Sequence, residues 1–110
     1  MRAGSLRHEV HYQTPTVTFD ALNQDQSTWS TLKTYRAKVR TPNGRELVNA
    51  QQLKAVLTHV ITHRYPGFLP DPSHRYVEGD AVYHVVAAFD PDGRRRQLVV
   101  WASHDPKETP

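Results

Sequence analysis

Short alternations of apolar and polar residues recur along the chain and predict β-strands. The first covers residues 6–13 and is expected to end at Pro15. The most regular covers residues 35–40, where a basic face lies opposite an apolar face. Further strands are predicted over residues 56–65, 75–78, 81–89 and 97–103. Residues 16–28 are polar and show no helical stripe, which favours a mobile loop or a loose hairpin.

One segment breaks this alternation and favours a helix. Asn43 and Gly44 form a pair that is typical of hairpin turns, but Glu46 follows Asn43 by three residues, as in a capping box. Residues 45–54 are good helix formers with little β-branching. We therefore prefer a short helix over residues 45–54, with Leu47, Ala50 and either Leu53 or Lys54 facing inward.

These elements predict a mainly β protein, a small antiparallel barrel or sandwich of about six strands with one short helix and long loops. The 110 residues suit a single domain with a thin core. We expect the barrel domain to cover residues 1–104. Residues 105–110 form a polar tail that is expected to be loose in an isolated monomer.

Composition excludes several classes of protein. There are no cysteines, so disulfides, iron–sulfur clusters and thiol catalysis are ruled out. No apolar run approaches the roughly 20 residues of a membrane span, and charged residues interrupt the N-terminus where a signal peptide would need an apolar core. We expect a soluble protein made in a cytoplasm. The formal charge of +3 is compatible with a nucleic-acid neighbour but does not require one.

Seven histidines raise the question of a metal site. His59 and His63 are four residues apart, which on a strand separates them by roughly 13 Å at ~3.3 Å per residue. One ion cannot bridge that distance, so we interpret both as surface or interface histidines and expect no metal. His8 and His84 lie on apolar strand faces and are expected to be histidines at the rim of the core, each with one hydrogen bond.

Catalysis finds no support in the sequence. There is no Gly-x-Ser-x-Gly elbow, no glycine-rich phosphate loop, and no pair of acids outside a turn that explains them. We expect no catalytic residues and no cofactor.

Two groups of residues are candidates for contacts with other molecules. Arg36, Lys38 and Arg40 form a basic stripe about 13 Å long at ~3.3 Å per residue. This stripe suits DNA or an acidic patch on a partner, or it is simply a solvated strand face. Phe68 and Leu69 lie in a proline-bounded loop and are the best exposed anchors. The other large aromatic residues, Trp29, Trp101 and Tyr65, are expected to lie mostly in the core.

An ordered set of residues spans nearly the whole chain. It consists of Met1-Arg2-Ala3-Gly4-Ser5-Leu6-Arg7-His8-Glu9-Val10, Thr28-Trp29, Gly44-Arg45-Glu46-Leu47 with Ala50-Gln51, His59, and Arg64-Tyr65. In this order and spacing the set resembles the phage head–tail joining family, the head-closure proteins of tailed phages. The resemblance implies a small β-barrel with a short helix and no catalytic residues. It also implies a structural role in the virion neck, as a ring that closes the DNA channel after packaging and offers a docking surface to the tail.

The resemblance also implies where the partners bind. The residues expected to face the channel or its gate are Thr41, Pro42, Asn43, Gly44, Arg45, Glu46, Asn49 and Gln52. Those expected to meet the adaptor or a neighbouring subunit are Arg2, Leu6, Arg7 and His8, and Phe68 and Leu69 would face the tail. The implied partners are further copies of the chain in a ring (a dodecamer if it follows the layer above), the portal or adaptor protein, a tail terminator or tail tube protein, and the passing double-stranded DNA, with no membrane.

Two departures from the family pattern leave the tail-facing geometry open. Residues 21–23 lack an expected glycine, and residues 66–74 are unusually rich in proline. Two alternative functions also stay open. One is a small basic β-barrel that binds nucleic acid, and the other is a different neck layer, such as the tail terminator.

Overall fold

Six antiparallel strands close into a barrel in the computed structural model, which describes residues 7–19 and 25–110. The elements are β1 (His8–Phe19), β2 (Asp25–Arg40), α1 (Gly44–Gln52), β3 (His59–Arg64), β4 (Arg75–Glu78), β5 (Ala81–Phe89) and β6 (Gln97–His104). Around the barrel the strand order is β1-β2-β3-β6-β5-β4. The predicted mainly β fold, with about six antiparallel strands and one short helix, is confirmed, and the sheet closes as a barrel.

The first two strands are much longer than predicted. β1 does not end at Pro15, because Pro15 pairs with Trp29 of β2 and the ladder continues to Phe19 and Asp25. β4 pairs with β1 only over His11–Gln13, so no described strand pairs with the other edge of β1 at Pro15, and a proline without an N–H is tolerated there. Of the two predictions for residues 16–28, the hairpin is therefore the correct one.

This hairpin extends beyond the barrel. Past Gln13 in β1, and before Ala37 in β2, the two strands pair only with each other among the described residues. We call residues 14–19 and 25–30 the arm. A two-stranded ribbon is marginally stable by itself, so the arm depends on contacts at its base.

The barrel interior holds the main core. Its buried apolar members are Val10, Tyr12, Ala37, Ile61, Tyr76, Tyr83, Val85, Leu98, Val100 and Ala102. Alternate residues of each strand point inward, as a pleated strand requires. Among the described tyrosines, Tyr12 and Tyr76 are fully buried. We predicted that Trp29, Trp101 and Tyr65 lie mostly in the core, but each side chain is only half-buried.

The helix covers the outside of β3 and β6. Ala50 packs with Leu57 and Val60, and Val99 and Trp101 border this second cluster. The inward helix face is narrower than predicted, since Leu47 is 40% exposed and Leu53 67% exposed. The helix also ends earlier than residue 54.

The early end of α1 has a local cause. Lys54 has a φ of 55° and so lies in the left-handed region, which cannot continue the helix. The N–H groups of Leu53 and Lys54 bond back to carbonyls of the last turn. β3 starts at His59 rather than at residue 56, because Val56 is exposed and Leu57 packs under the helix.

Within the described part of the chain, Glu108 joins the polar tail to the barrel. β6 ends at His104, and Glu108 then accepts hydrogen bonds from Nε2 of His84 at 2.7 and 2.8 Å. His84 is thus a hydrogen-bonded histidine at the rim, as predicted, and its partner Glu108 holds the tail against β5.

Candidate functional site

The residues predicted to face a channel lie together where α1 begins. Asn43 is the N-cap, and its side-chain oxygen accepts the Glu46 N–H at 2.9 Å. The Glu46 carboxylate in turn accepts the Asn43 N–H at 3.0 Å. The predicted capping box is therefore confirmed. It satisfies two N–H groups that the first turn of a helix leaves without partners.

Arg40, the last residue of β2, binds the same carboxylate. Its Nη1 and Nη2 atoms donate to the two Glu46 oxygens at 2.7 and 2.8 Å. These bonds raise the pKa of Arg40 and hold the pKa of Glu46 below its usual range. In the predicted basic stripe, Arg36 and Lys38 are exposed, whereas Arg40 fixes the helix start to β2.

The rest of this segment forms a polar surface. Its exposed members are Thr41, Asn43, Gly44, Arg45, Asn49 and Gln52, and Pro42 and Glu46 are partly buried. The structure therefore groups all eight predicted channel-facing residues along one junction and helix. That they face a channel stays a prediction.

Of the residues predicted to meet the adaptor or a neighbouring copy, the described pair Arg7 and His8 lines a pocket with Lys38 and Val39 of β2. Arg2 and Leu6 are outside the described residues. Arg7 is exposed, and His8 forms a 2.5 Å contact through Nδ1 with the Glu78 carboxylate of β4, as expected of a rim histidine.

The predicted loop anchors are accessible. Phe68 is 42% exposed and Leu69 is 56% exposed. The Phe68 ring also packs on Tyr12, with 5.5 Å between centroids, so the barrel core supports this loop.

Sequence reasoning missed an exposed apolar surface on α1 and the segment after it. Leu47, Val48, Leu53 and Val56 are 40, 52, 67 and 68% exposed. We call these four residues the apolar ridge. Leu47 and Val56 line one shallow pocket of about 280 Å³, so the two ends of the ridge lie close together. The signal in the sequence was an apolar set too wide for one helix face. Apolar patches of this kind often mark interaction sites.

His63 corrects the prediction of a surface histidine, because it is fully buried inside the barrel. Its Nδ1 lies 2.7 Å from the Arg64 carbonyl, which can only accept, so Nδ1 carries the hydrogen. Nε2 then accepts the Tyr76 hydroxyl at 2.8 Å. Burial lowers the pKa of His63 and raises that of Tyr76. The ring also stacks on Tyr35, with centroids 4.3 Å apart.

His59 is half-buried and lies near a second histidine. The centroid of its ring lies 5.7 Å from the centroid of the His104 ring and 5.1 Å from that of the Tyr83 ring. Burial and the charge of His104 lower the pKa of His59. His104 Nδ1 donates to the Val82 carbonyl at 2.9 Å, so one of its ring nitrogens is committed to the barrel wall.

The described ranges, 7–19 and 25–110, contain no group of three His, Asp or Glu side chains that is able to hold a metal ion. Their one helix, α1, has nine residues, far short of the about 20 that a membrane-spanning helix requires. The candidate site consists of surface features, which are the polar start of α1, the apolar ridge and the exposed cationic side chains.

Comparisons with known folds agree with the barrel. The chain is similar to protein SF1141 from Shigella flexneri 2a, a solution structure, with a TM-score of 0.74 at 22% identity, covering 98% of this chain and 100% of that one. It is also similar to a chain from the virion of a native gene transfer agent particle, with a TM-score of 0.58 at 17% identity, covering 88% and 92% of the two chains. At these identities the likeness concerns the fold.

Comparison with proteins of curated function gave no match. The family model described as phage head completion protein matches residues 1–105, nearly the whole chain. This match agrees with the resemblance carried by the N-terminal run and by the residues around α1. The chain belongs to the phage head completion protein family.

Proposed function

We propose that this protein is a structural component of the phage neck. It forms a ring below the portal and adaptor, closes the DNA channel after packaging, and provides the surface on which the tail docks. Membership of the head completion family supports a structural role in the virion. The barrel fold shared with a chain of the gene transfer agent virion is consistent with that role.

The observation that carries the proposal is the apolar ridge. Four large apolar side chains, Leu47, Val48, Leu53 and Val56, are at least 40% exposed on one short helix and the segment after it. Exposed apolar surface favours association, and closed rings arise when copies bind head to tail with a rotation that closes. The ridge is the surface we assign to contacts between neighbouring copies, in a dodecamer if the ring follows the layer above.

The polar start of α1 is assigned to the channel. Apart from Pro42, Arg45 and the Arg40–Glu46 pair, its side chains are short or amide-bearing, and such a surface offers passing DNA mainly polar contacts. In this arrangement Arg7 and His8 meet the adaptor or an adjacent copy. Phe68 and Leu69 meet the tail terminator or tail tube protein. The role needs no catalytic residue, and the protein would be made in the bacterial cytoplasm and end in the virion.

The experiment that tests this role is electron microscopy of lysates from a phage that lacks only this gene. Finished tails lying beside heads that have lost their DNA are the expected result. Intact, infectious virions would overturn the proposal. Supplying the gene in trans should restore joined particles. A ring found on isolated tails but never on portal–adaptor complexes would favour the tail terminator alternative.

A nucleic-acid-binding barrel is the second candidate, because Arg36 and Lys38 are exposed on β2. It predicts DNA affinity that falls steeply with salt and that is lost in the Arg36→Gln, Lys38→Gln double variant. Absence of DNA binding at low salt would rule this candidate out.

A further inference from the structure

A cleft opens where β2 and β3 separate. The two strands pair only over Ala37–Arg40 of β2, and beyond Ala37 they diverge. Residues 33–36 form one wall of the cleft and residues 64–66 form the other, around a volume of about 540 Å³. This volume lies in the range of ligand-binding sites. We call it the fork cleft.

The fork cleft is lined by positive charge. Lys33, Arg36 and Arg64 are all exposed and surround it, and no carboxylate of the described residues lines it. Glu9 lies opposite Arg36 in the β1–β2 ladder, but within the described ranges neither Arg36 nor Arg64 forms an ion pair. The charge is therefore available to an anionic partner.

The cleft also has an apolar floor and a neighbouring basic loop. Tyr35 and Tyr65 line it, and both rings are half-buried. The Tyr65 N–H donates to the Arg96 carbonyl at 3.3 Å, so the exposed run 94–96 lies beside the cleft. A partner with alternating acidic and apolar side chains matches both features.

A strand edge is exposed in the same cleft. On one side β2 pairs with β1 through residues 33–36, but on the other side no described strand pairs with these residues. Unpaired backbone N–H and C=O groups at a strand edge can accept an added strand. Nucleic acid has no peptide backbone and cannot continue the ladder at such an edge. Tyr35, moreover, already stacks on His63 and so has one ring face covered.

We propose that the fork cleft binds an acidic segment of a partner protein in extended conformation. The segment adds as a strand to the free edge of β2. Its carboxylates meet Arg36 and Arg64, and its apolar side chains lie on Tyr35 and Tyr65. The neck role assigns no partner to this cleft, and the inference does not depend on that role.

The test is binding of a fluorescein-labelled peptide of eight alternating glutamate and valine residues to the full chain, followed by fluorescence anisotropy. The Arg36→Glu, Arg64→Glu double variant should bind about tenfold more weakly or worse, since it reverses both charged contacts. The Lys54→Glu, Lys107→Glu double variant has the same net charge but leaves the cleft intact, and it should bind within about threefold of the wild type. Equal losses in the two variants would overturn the proposal.

Two further measurements separate strand addition from simple charge attraction. The same peptide with alternate backbone nitrogens methylated cannot form the ladder and should bind about tenfold more weakly. Unchanged affinity would overturn strand addition. A 20-base-pair DNA duplex is the competitor. If it binds more tightly than the peptide and only the cleft variant loses it, the cleft is a nucleic-acid site and the proposal is wrong. Failure of the cleft proposal would not affect the proposed neck role, which the lysate experiment tests separately.

Discussion

Arg40 donates hydrogen bonds to both carboxylate oxygens of Glu46, at 2.7 and 2.8 Å. The same carboxylate accepts the Asn43 N–H at 3.0 Å. One side chain thus caps α1 and joins its first turn to the end of β2. A helix of nine residues is marginal without such contacts. This junction therefore sets the position of the segment that we assign to the channel.

Glu46→Ala should destabilise the protein by about 1–2 kcal/mol, because it removes the capping acceptor and the Arg40 partner together. Glu46→Gln should cost less, since an amide oxygen can still accept the Asn43 N–H. Urea unfolding monitored by fluorescence measures both values. Gln52→Ala at the far end of the helix is the control and should change stability by less than about 0.5 kcal/mol. An equally small effect of Glu46→Ala would contradict this account.

The same pair predicts acid sensitivity. Arg40 lowers the pKa of Glu46 from its ordinary 4.5, so the stabilisation is fully present above pH 4.5 and is lost as pH falls through the lower, folded-state pKa. Across that window the stability of Glu46→Gln should fall less than that of the wild type. An equal loss of stability in both proteins would mean that the Glu46 carboxylate is not the cause of the acid sensitivity.

His63 predicts a second pH effect with a separate window. Burial lowers the pKa of His63 below its ordinary 6.5, so the folded protein keeps the ring neutral where the unfolded chain protonates it. Stability should therefore fall as pH drops below 6.5 and level off below the folded-state pKa. Urea unfolding at a series of pH values should show a shallower slope for His63→Gln than for the wild type.

Tyr76→Phe is the matched control for that experiment. It leaves Nε2 of His63 buried without the hydroxyl that lies 2.8 Å away, at a cost of about 1–3 kcal/mol. The pH slope should persist in this variant, because His63 is still present. If His63→Gln keeps the wild-type slope, the titration belongs to other groups, such as His59.

The features that sequence predicted correctly depend on short stretches of chain. The capping box needs only Asn43 and Glu46, three residues apart, and the central strands follow from local alternation. The course of β1 through Pro15 could not be read in this way. A proline is harmless there only because the neighbouring strand, β4, stops pairing at Gln13.

Several features of the candidate site depend on contacts between distant elements. Val60 and Ile61 are adjacent, and both side chains are fully buried. Ile61 faces the barrel interior, whereas Val60 faces the helix. A pattern of alternating apolar and polar residues cannot predict a strand that is covered on both faces. His63 looks like a surface residue until Tyr76, thirteen positions away, supplies its partner. The fork cleft arises from the point at which two strands diverge, which no local pattern marks.

The apolar ridge predicts variants that assemble poorly yet fold normally. Leu53 and Val56 are 67 and 68% exposed, so changing both to serine should alter the unfolding free energy by less than about 1 kcal/mol in total. Ring formation on portal–adaptor complexes, counted in electron micrographs, should fall sharply because the subunit contact loses its apolar groups.

Leu69→Ser is the control for the ridge, because Leu69 is 56% exposed in a different loop. This variant should still form rings, and a defect in tail attachment alone would support the assignment of that loop. Normal ring formation by the Leu53→Ser, Val56→Ser variant would mean that copies meet through another surface.

The base of the arm provides the last prediction, because Arg75 joins both of its strands. Arg75 is 5% exposed; its Nε donates to the Gln13 side chain at 2.8 Å, and its guanidinium lies 4.2 Å from the centre of the Trp29 ring. Trp29→Leu removes a cation–π contact worth about 0.5–2 kcal/mol. The amides of residue 14 and of residues 29–31 should then exchange faster with deuterium, while those of β6 keep their protection. Arg75→Lys should act in the same direction, since an ammonium lacks the planar surface that stacks on the indole.

Leu32→Ala is the control for the arm. Its side chain is 62% exposed, and the change should leave the exchange of these amides unaltered. If Trp29→Leu also has no effect on these amides, the arm is held by its own ladder alone.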